Sequence, residues 1–85
     1  MATATSKSRL KRPVHRMPGF VRAALVESEL LAAYRKRPAH QRNDYIGWIT
    51  RAKREETQLK RLAQMLDELE AGTLYMNMKW DPTRR

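Results

Sequence analysis

Leu59, Leu62, Leu66 and Leu69 recur at spacings of three and four, with Ala63 and Met65 among them and Gly72 just beyond. That period sets the leucines along one face of an α-helix. A glycine directly after the last periodic residue is a common helix stop. Glu55 and Glu56 belong near the start of this helix, where its dipole favours acids. A helix with one apolar face must bury it, so the remaining chain has to supply partners.

The upstream segments read as those partners. Pro18 suits a first helical turn, and Phe20, Val21, Ala24 and Leu25 follow at helical spacing. Ser28 is placed to cap a second helix showing Leu31 and Tyr34 on one side, although a single bent helix over 18–36 fits the same pattern. Pro38 ends that stretch, because the residue before a proline is pushed out of the α region. A third helix is predicted over about 39–53, with Tyr45, Ile49 and Ala52 on its stripe and Ile46 and Trp48 widening it. Gly47 lies inside this helix at a cost of ~1 kcal/mol relative to alanine, which is read as permission for a close helix crossing. Ala52 and Leu59 are seven residues apart, so the apolar stripe stays in phase whether helices three and four are separate or continuous. Past Gly72, Leu74, Met76 and Met78 alternate with other residues as in an extended arm. A lone strand has no partner in the chain, so no stable sheet is expected.

The expectation is an all-α fold: a small bundle of three to four helices, with a disordered basic N-terminal arm and a short extended C-terminal arm. Residues 1–16 form the arm, 17–80 the helical domain and 81–85 a flexible tail. The expected core is Phe20, Leu25, Leu31, Tyr34, Tyr45, Trp48, Ile49, Leu59, Leu62, Leu66 and Leu69.

Composition narrows the function. Eighty-five residues leave room for one domain. The chain has no cysteine, which excludes disulfides and thiolate metal sites. No apolar run approaches the ~20 residues of a spanning helix, and residues 1–16 lack the apolar stretch of a signal peptide, so a cytoplasmic location is expected. The net charge of +9 is uneven. Lys7, Arg9, Lys11, Arg12 and Arg16 fall in an arm with no acid, whereas residues 54–71 are net acidic.

The stretch "RPAHQRNDYIGWITRAKREETQLKR" carries a resemblance. Tyr45, then Trp48-Ile49, Ala52-Lys53, Glu56-Thr57 and Arg61 resemble the signature of the C-terminal helical domain of the bacteriocin-protection, YdeI/OmpD-associated family. "MPGFVRAAL" upstream and "LAQMLDELEAG" downstream fit as well, so the likeness covers roughly residues 14–80. It implies a small all-helical domain with a turn between the tryptophan helix and the threonine helix. Many members have proline near position 55, and larger relatives carry a further N-terminal domain that these residues do not include. Two positions depart from the pattern: Gln58 stands where an arginine is expected, and Lys60 where a second is common. Lysine does not reproduce arginine's two-pronged fork, so any anion site there would be weakened. No catalytic mechanism comes with the resemblance.

The residues point to binding rather than catalysis. There is no glycine-rich phosphate loop and no histidine pair at metal spacing, and His15 and His40 read as surface residues. Glu55 and Glu56 are adjacent, so on a helix they do not face each other. No catalytic, metal or cofactor residues are therefore assigned, and no enzyme activity is expected. Lys53, Arg54, Thr57, Lys60 and Arg61 are the candidate anion or partner contacts at the helix-four start; the plainer reading makes that stretch a helix junction with its cations in solvent. Tyr45 and Trp48 form either a stacking platform or, more commonly, core. Met76, Met78 and Trp80 suit a partner surface or closure of the bundle equally well. The expected function is a non-enzymatic binding module with an unknown protein partner. The alternative is a nucleic-acid-associated protein whose arm contacts phosphates in a salt-dependent way, with Arg42 and Asn43 as the candidates for base reading.

Overall fold

The computed structural model describes residues 14–83. Four helices and one small hairpin follow in order: α1 (Gly19–Glu27), α2 (Leu31–Lys36), α3 (Ala39–Arg51), α4 (Glu55–Ala71), β1 (Leu74–Tyr75) and β2 (Met78–Lys79). α3 packs on α4, α1 on α2, and both α2 and β1 reach α4. The all-α architecture is as expected. Lys7, Arg9, Lys11 and Arg12 of the basic arm lie outside the described residues, as do Arg84 and Arg85.

α1 and α2 are separate helices. The Leu30 N–H donates to the Leu25 carbonyl and the Glu29 N–H to the Val26 carbonyl, with Glu29 at φ 61°, a left-handed helix stop built without glycine. Ser28 therefore ends α1 instead of starting α2: its hydroxyl donates back to the Ala24 carbonyl at 2.7 Å. α2 stops at Arg37, held extended before Pro38, and the Pro38 carbonyl opens α3 by accepting the Gln41 and Arg42 N–H groups.

α3 and α4 are also separate, because Ala52 and Arg54 both take extended backbone. The carbonyls left free at the end of α3 find side-chain donors from α4. Gln58 Nε2 donates to the Ala52 carbonyl at 2.9 Å and Arg61 Nη1 to the Trp48 carbonyl at 2.6 Å. Glu55 and Glu56 occupy the first turn of α4, and Gly72 closes it at φ 78°.

The core is Val21 and Leu25, Tyr34, Tyr45, Ile46 and Ile49, and Leu62, Met65 and Leu69. Leu31, Trp48 and Leu66 are half-buried against it. Phe20 and Leu59, expected inside, are 40% and 48% exposed, while Val21, Ile46 and Met65 from the same stripes are buried. The reason on α4 is rotation. At 100° per residue, Leu66 and Leu59 lie about 100° and 120° around the helix from Met65, whereas Glu68 lies only about 60° away. The buried face is centred near Met65 and takes in Glu68, which is 2% exposed. Glu68 is thus removed from the acid-rich outer face on which the sequence would place it.

The C-terminal arm is extended as expected but turns back on itself. Leu74 pairs with Lys79 and Tyr75 with Met78 in an antiparallel ladder. Met76 and Asn77, at φ 51° and 66°, form the two-residue turn whose twist suits a hairpin. The partner absent from the sequence reading is the chain's own next strand.

Candidate functional site

Buried polar side chains mark one end of the bundle. The Glu68 carboxylate on α4 accepts the Tyr45 hydroxyl and the Met76 N–H on Oε1, and the Asn77 N–H and Gln64 Nε2 on Oε2. The Glu68 backbone carbonyl accepts Arg37 Nη2 at 2.9 Å, and Arg37 Nη1 donates to Gln41 Oε1 at 3.0 Å. Arg37 and Gln41 are themselves buried. The Arg37 guanidinium lies 4.4 Å from the centre of the Trp80 ring, within cation–π range. The Tyr75 hydroxyl donates to Asp44, and its ring meets Tyr45 edge-on at 5.5 Å.

Burial alone would raise the Glu68 carboxyl, but the hydrogen bonds from Tyr45, the Asn77 and Met76 amides and Gln64 outweigh it and hold the group below its ordinary value. Burial and the bond to Glu68 push the Tyr45 phenol well up. One partner is thereby kept as carboxylate and the other as neutral phenol. Every buried side-chain nitrogen and oxygen among the described residues has a hydrogen-bond partner. The network ties α3, α4 and the hairpin turn together.

The cluster was not foreseen from the sequence. Two signals for it existed: Glu68 falls three residues after Met65 on the inward face, and a buried tyrosine such as Tyr45 needs a partner for its hydroxyl.

The residues expected as an anion or partner site lie at the α3–α4 junction and in the first turns of α4. Lys53, Arg54 and Lys60 are exposed and Thr57 is half-buried; the Thr57 N–H is taken by the Arg54 carbonyl at 3.1 Å. Arg61 is spent on α3, donating to the Trp48 carbonyl and lying 5.2 Å from the centre of the Trp48 ring. Arg16 is exposed. Arg42 Nε donates to the Arg37 carbonyl, and Asn43 Oδ1 accepts the His15 N–H, so both proposed base readers are engaged inside the fold. Of the aromatic pair, Tyr45 is core and Trp48 half-buried.

Gly47 serves a purpose other than a helix crossing. A Cβ there would stand 2.6 Å from His15 Nε2 and 2.7 Å from its Cδ2, so the missing side chain makes room for the histidine ring. His15 is half-buried as a result, where a surface residue was expected. Elsewhere, Phe20, Lys53, Glu55, Gln58 and Leu59 line a shallow groove between the starts of α1 and α4. Among the described residues, no three His, Cys, Asp or Glu side chains are grouped to hold a metal, and no helix is long and apolar enough to cross a membrane.

The signature residues now have places. Tyr45, Ile49 and Ala52 are buried, Trp48 and Arg61 bind α3 to α4, and Lys53 and Glu56 face outward. A family model described as bacteriocin-protection, YdeI or OmpD-associated matches residues 15–72. The chain belongs to this family. The YdeI/OmpD-associated match spans the four helices and ends at Gly72, so the hairpin lies beyond it. No curated protein and no solved structure matches the chain. Gln58, standing in place of the family's expected arginine, holds the Ala52 carbonyl at the helix break.

Proposed function

We propose that this YdeI/OmpD-associated chain is a non-enzymatic binding module of the bacterial cytoplasm that works in a bacteriocin-protection or stress setting by contacting a protein partner. The observation that carries the reading is the exposure of Phe20 and Leu59 side by side in one groove, while Glu68, Tyr45 and Arg37 are committed to internal bonds. Large apolar side chains left in water at the lip of a groove favour contact with another surface. Lys53, Glu55 and Gln58 rim the groove and supply the polar edge of such a contact.

The test is site-specific photo-crosslinking in bacteria from a residue beside the groove, with and without Leu59→Lys. Leu59 is half exposed, so the substitution is expected to change stability by less than about 0.5 kcal/mol while removing a discrete crosslinked species. An unchanged crosslink pattern sinks the reading. A parallel titration with a short DNA duplex at low and high salt compares the full chain with one starting at Met17. Binding by the shorter chain that survives high salt would replace the protein partner with nucleic acid.

A further inference from the structure

Arg37 is a buried cation bonded only to neutral groups. It is 4% exposed, and its hydrogen bonds run to Gln41 Oε1 at 3.0 Å and to the Glu68 carbonyl at 2.9 Å. Among the described residues, no carboxylate pairs with it. The Glu68 carboxylate is turned to Tyr45, Gln64 and the hairpin turn, and Asp81 is turned to the Thr83 N–H and hydroxyl. The carbonyl end of α4 supplies only part of a negative charge, and a buried charge without a full partner is costly. The Arg37 Nε–H has no acceptor among the described residues. Every fully buried side-chain nitrogen there has one, so this N–H is within reach of solvent. A cavity of about 610 Å³ lies beside it, between the ends of α2 and α4 and the segment after β2. Ala33, Leu69, Trp80 and Pro82 line it, with Arg37 in its wall and the exposed Lys36 at its edge. The Trp80 ring, 4.4 Å from the guanidinium carbon at its centre, joins the two bonds in fixing the direction of the Arg37 fork.

We propose that this cavity binds a small carboxylic acid with an apolar body, its carboxylate on the Arg37 Nε–H and its body against Ala33, Trp80 and Pro82. The size is that of a small-molecule pocket, and so is the lining, mostly apolar with a polar group that fixes orientation. A single negative charge matches the single buried cation, and a hydrogen bond between two ionised groups is of the stronger kind. A phosphate dianion brings a second charge and further acceptors against a wall of Ala33, Leu69 and Pro82, which have no side-chain donor to meet them. Lys36 adds attraction from the rim, weakened by salt. Binding costs little ordering, because the guanidinium is already held by Gln41, the Glu68 carbonyl and Trp80. The four helices and the hairpin all stay in place. The site is separate from the Phe20–Leu59 groove.

The test titrates isotope-labelled full-length protein with phenylacetate and follows it by NMR. Phenylacetamide serves as the neutral match, and acetate and inorganic phosphate as anions without the apolar body, all at one ionic strength. Phenylacetate is expected to shift the Arg37 Nε–H and Trp80 indole N–H signals to saturation and to leave the Trp48 indole signal in place. It should bind at least about tenfold more tightly than phenylacetamide, the worth of one hydrogen bond to a charged group. Acetate and phosphate should bind at least about tenfold more weakly than phenylacetate, since neither buries apolar surface. Ala33→Leu adds bulk to the cavity wall, keeps Arg37, and should weaken phenylacetate by at least about tenfold. The ligand comparisons use the unaltered chain, so they decide the matter whether or not that variant folds. Absence of a saturable shift at Arg37 and Trp80 overturns the proposal, as does equal binding of the amide, which would mean that the cation does not select. Acetate or phosphate binding as tightly as phenylacetate would reduce the site to bare charge and overturn it too. Unchanged phenylacetate binding by an Ala33→Leu chain with intact circular dichroism would place the ligand outside this cavity.

Discussion

Replacing Gly47 with alanine sets two effects of similar size against each other. Alanine in a helix interior is favoured over glycine by ~1 kcal/mol, so on α3 alone the substitution stabilises. The new Cβ, however, would lie 2.6 Å and 2.7 Å from two atoms of the His15 ring, too close for any real contact, so the ring must leave. Its departure loosens residues 14–16, whose His15 N–H donates to Asn43 at 2.7 Å. Losing that part-buried bond costs about 0.5–1.5 kcal/mol, and the ring's lost packing adds to it. Gly47→Ala alone is therefore expected to fall between neutral and about 1 kcal/mol destabilising. In a His15→Ala background the clash is gone, and the same change should stabilise by about 0.5–1 kcal/mol, or a few degrees in Tm for a domain this small. The quantity that decides is the coupling, about 1–2 kcal/mol from a double-mutant cycle read by urea unfolding. If Gly47→Ala stabilises equally in both backgrounds, His15 does not occupy the space that the glycine leaves, and the reasoning fails.

Three further outcomes are expected. Trp48→Ala should cost about 2 kcal/mol by denaturant unfolding, less than the ~3–5 kcal/mol of a fully buried tryptophan, because Trp48 is half-buried under Arg61; full retention of stability would show that the stack is idle. Gln58→Ala should cost about 1 kcal/mol, the worth of its bond to the Ala52 carbonyl, and a helical signal that rises instead would mean that α3 and α4 fuse when the break is released. Glu68 has a lower pKa folded than unfolded, so its contribution is present above the ordinary value of 4.5 and is lost as pH falls through the folded value. Acid unfolding followed by circular dichroism should accordingly be shallower below that pH in Glu68→Gln, and an unchanged profile would remove Glu68 from the acid response.

Local features were legible in the one-dimensional pattern wherever a residue acts on its own backbone. Pro38 ends α2, Gly72 ends α4 and Glu55–Glu56 mark its start, because each effect is set within one turn of helix. The family was legible too, since its signature spans the residues that form the α3–α4 junction. The same pattern could not say whether α3 and α4 are one helix, because a seven-residue spacing keeps the stripe in phase across a break. That was decided by Gln58 and Arg61, whose side chains reach the carbonyls that the break leaves free.

Tertiary packing also chose which part of each stripe is buried. On α4 the inward face turned from Leu66 toward Glu68, because Tyr45, Gln64 and the hairpin turn supply four donors for its carboxylate, and a charge can be buried only where such donors converge. Those donors come from α3, α4 and the segment after Gly72, so no spacing within one helix announces them. Phe20 and Leu59 remain in water for the converse reason: they fit the helical period, but no described element packs over them. Periodicity determines what a helix can bury, and the neighbours that arrive in space determine what it does bury.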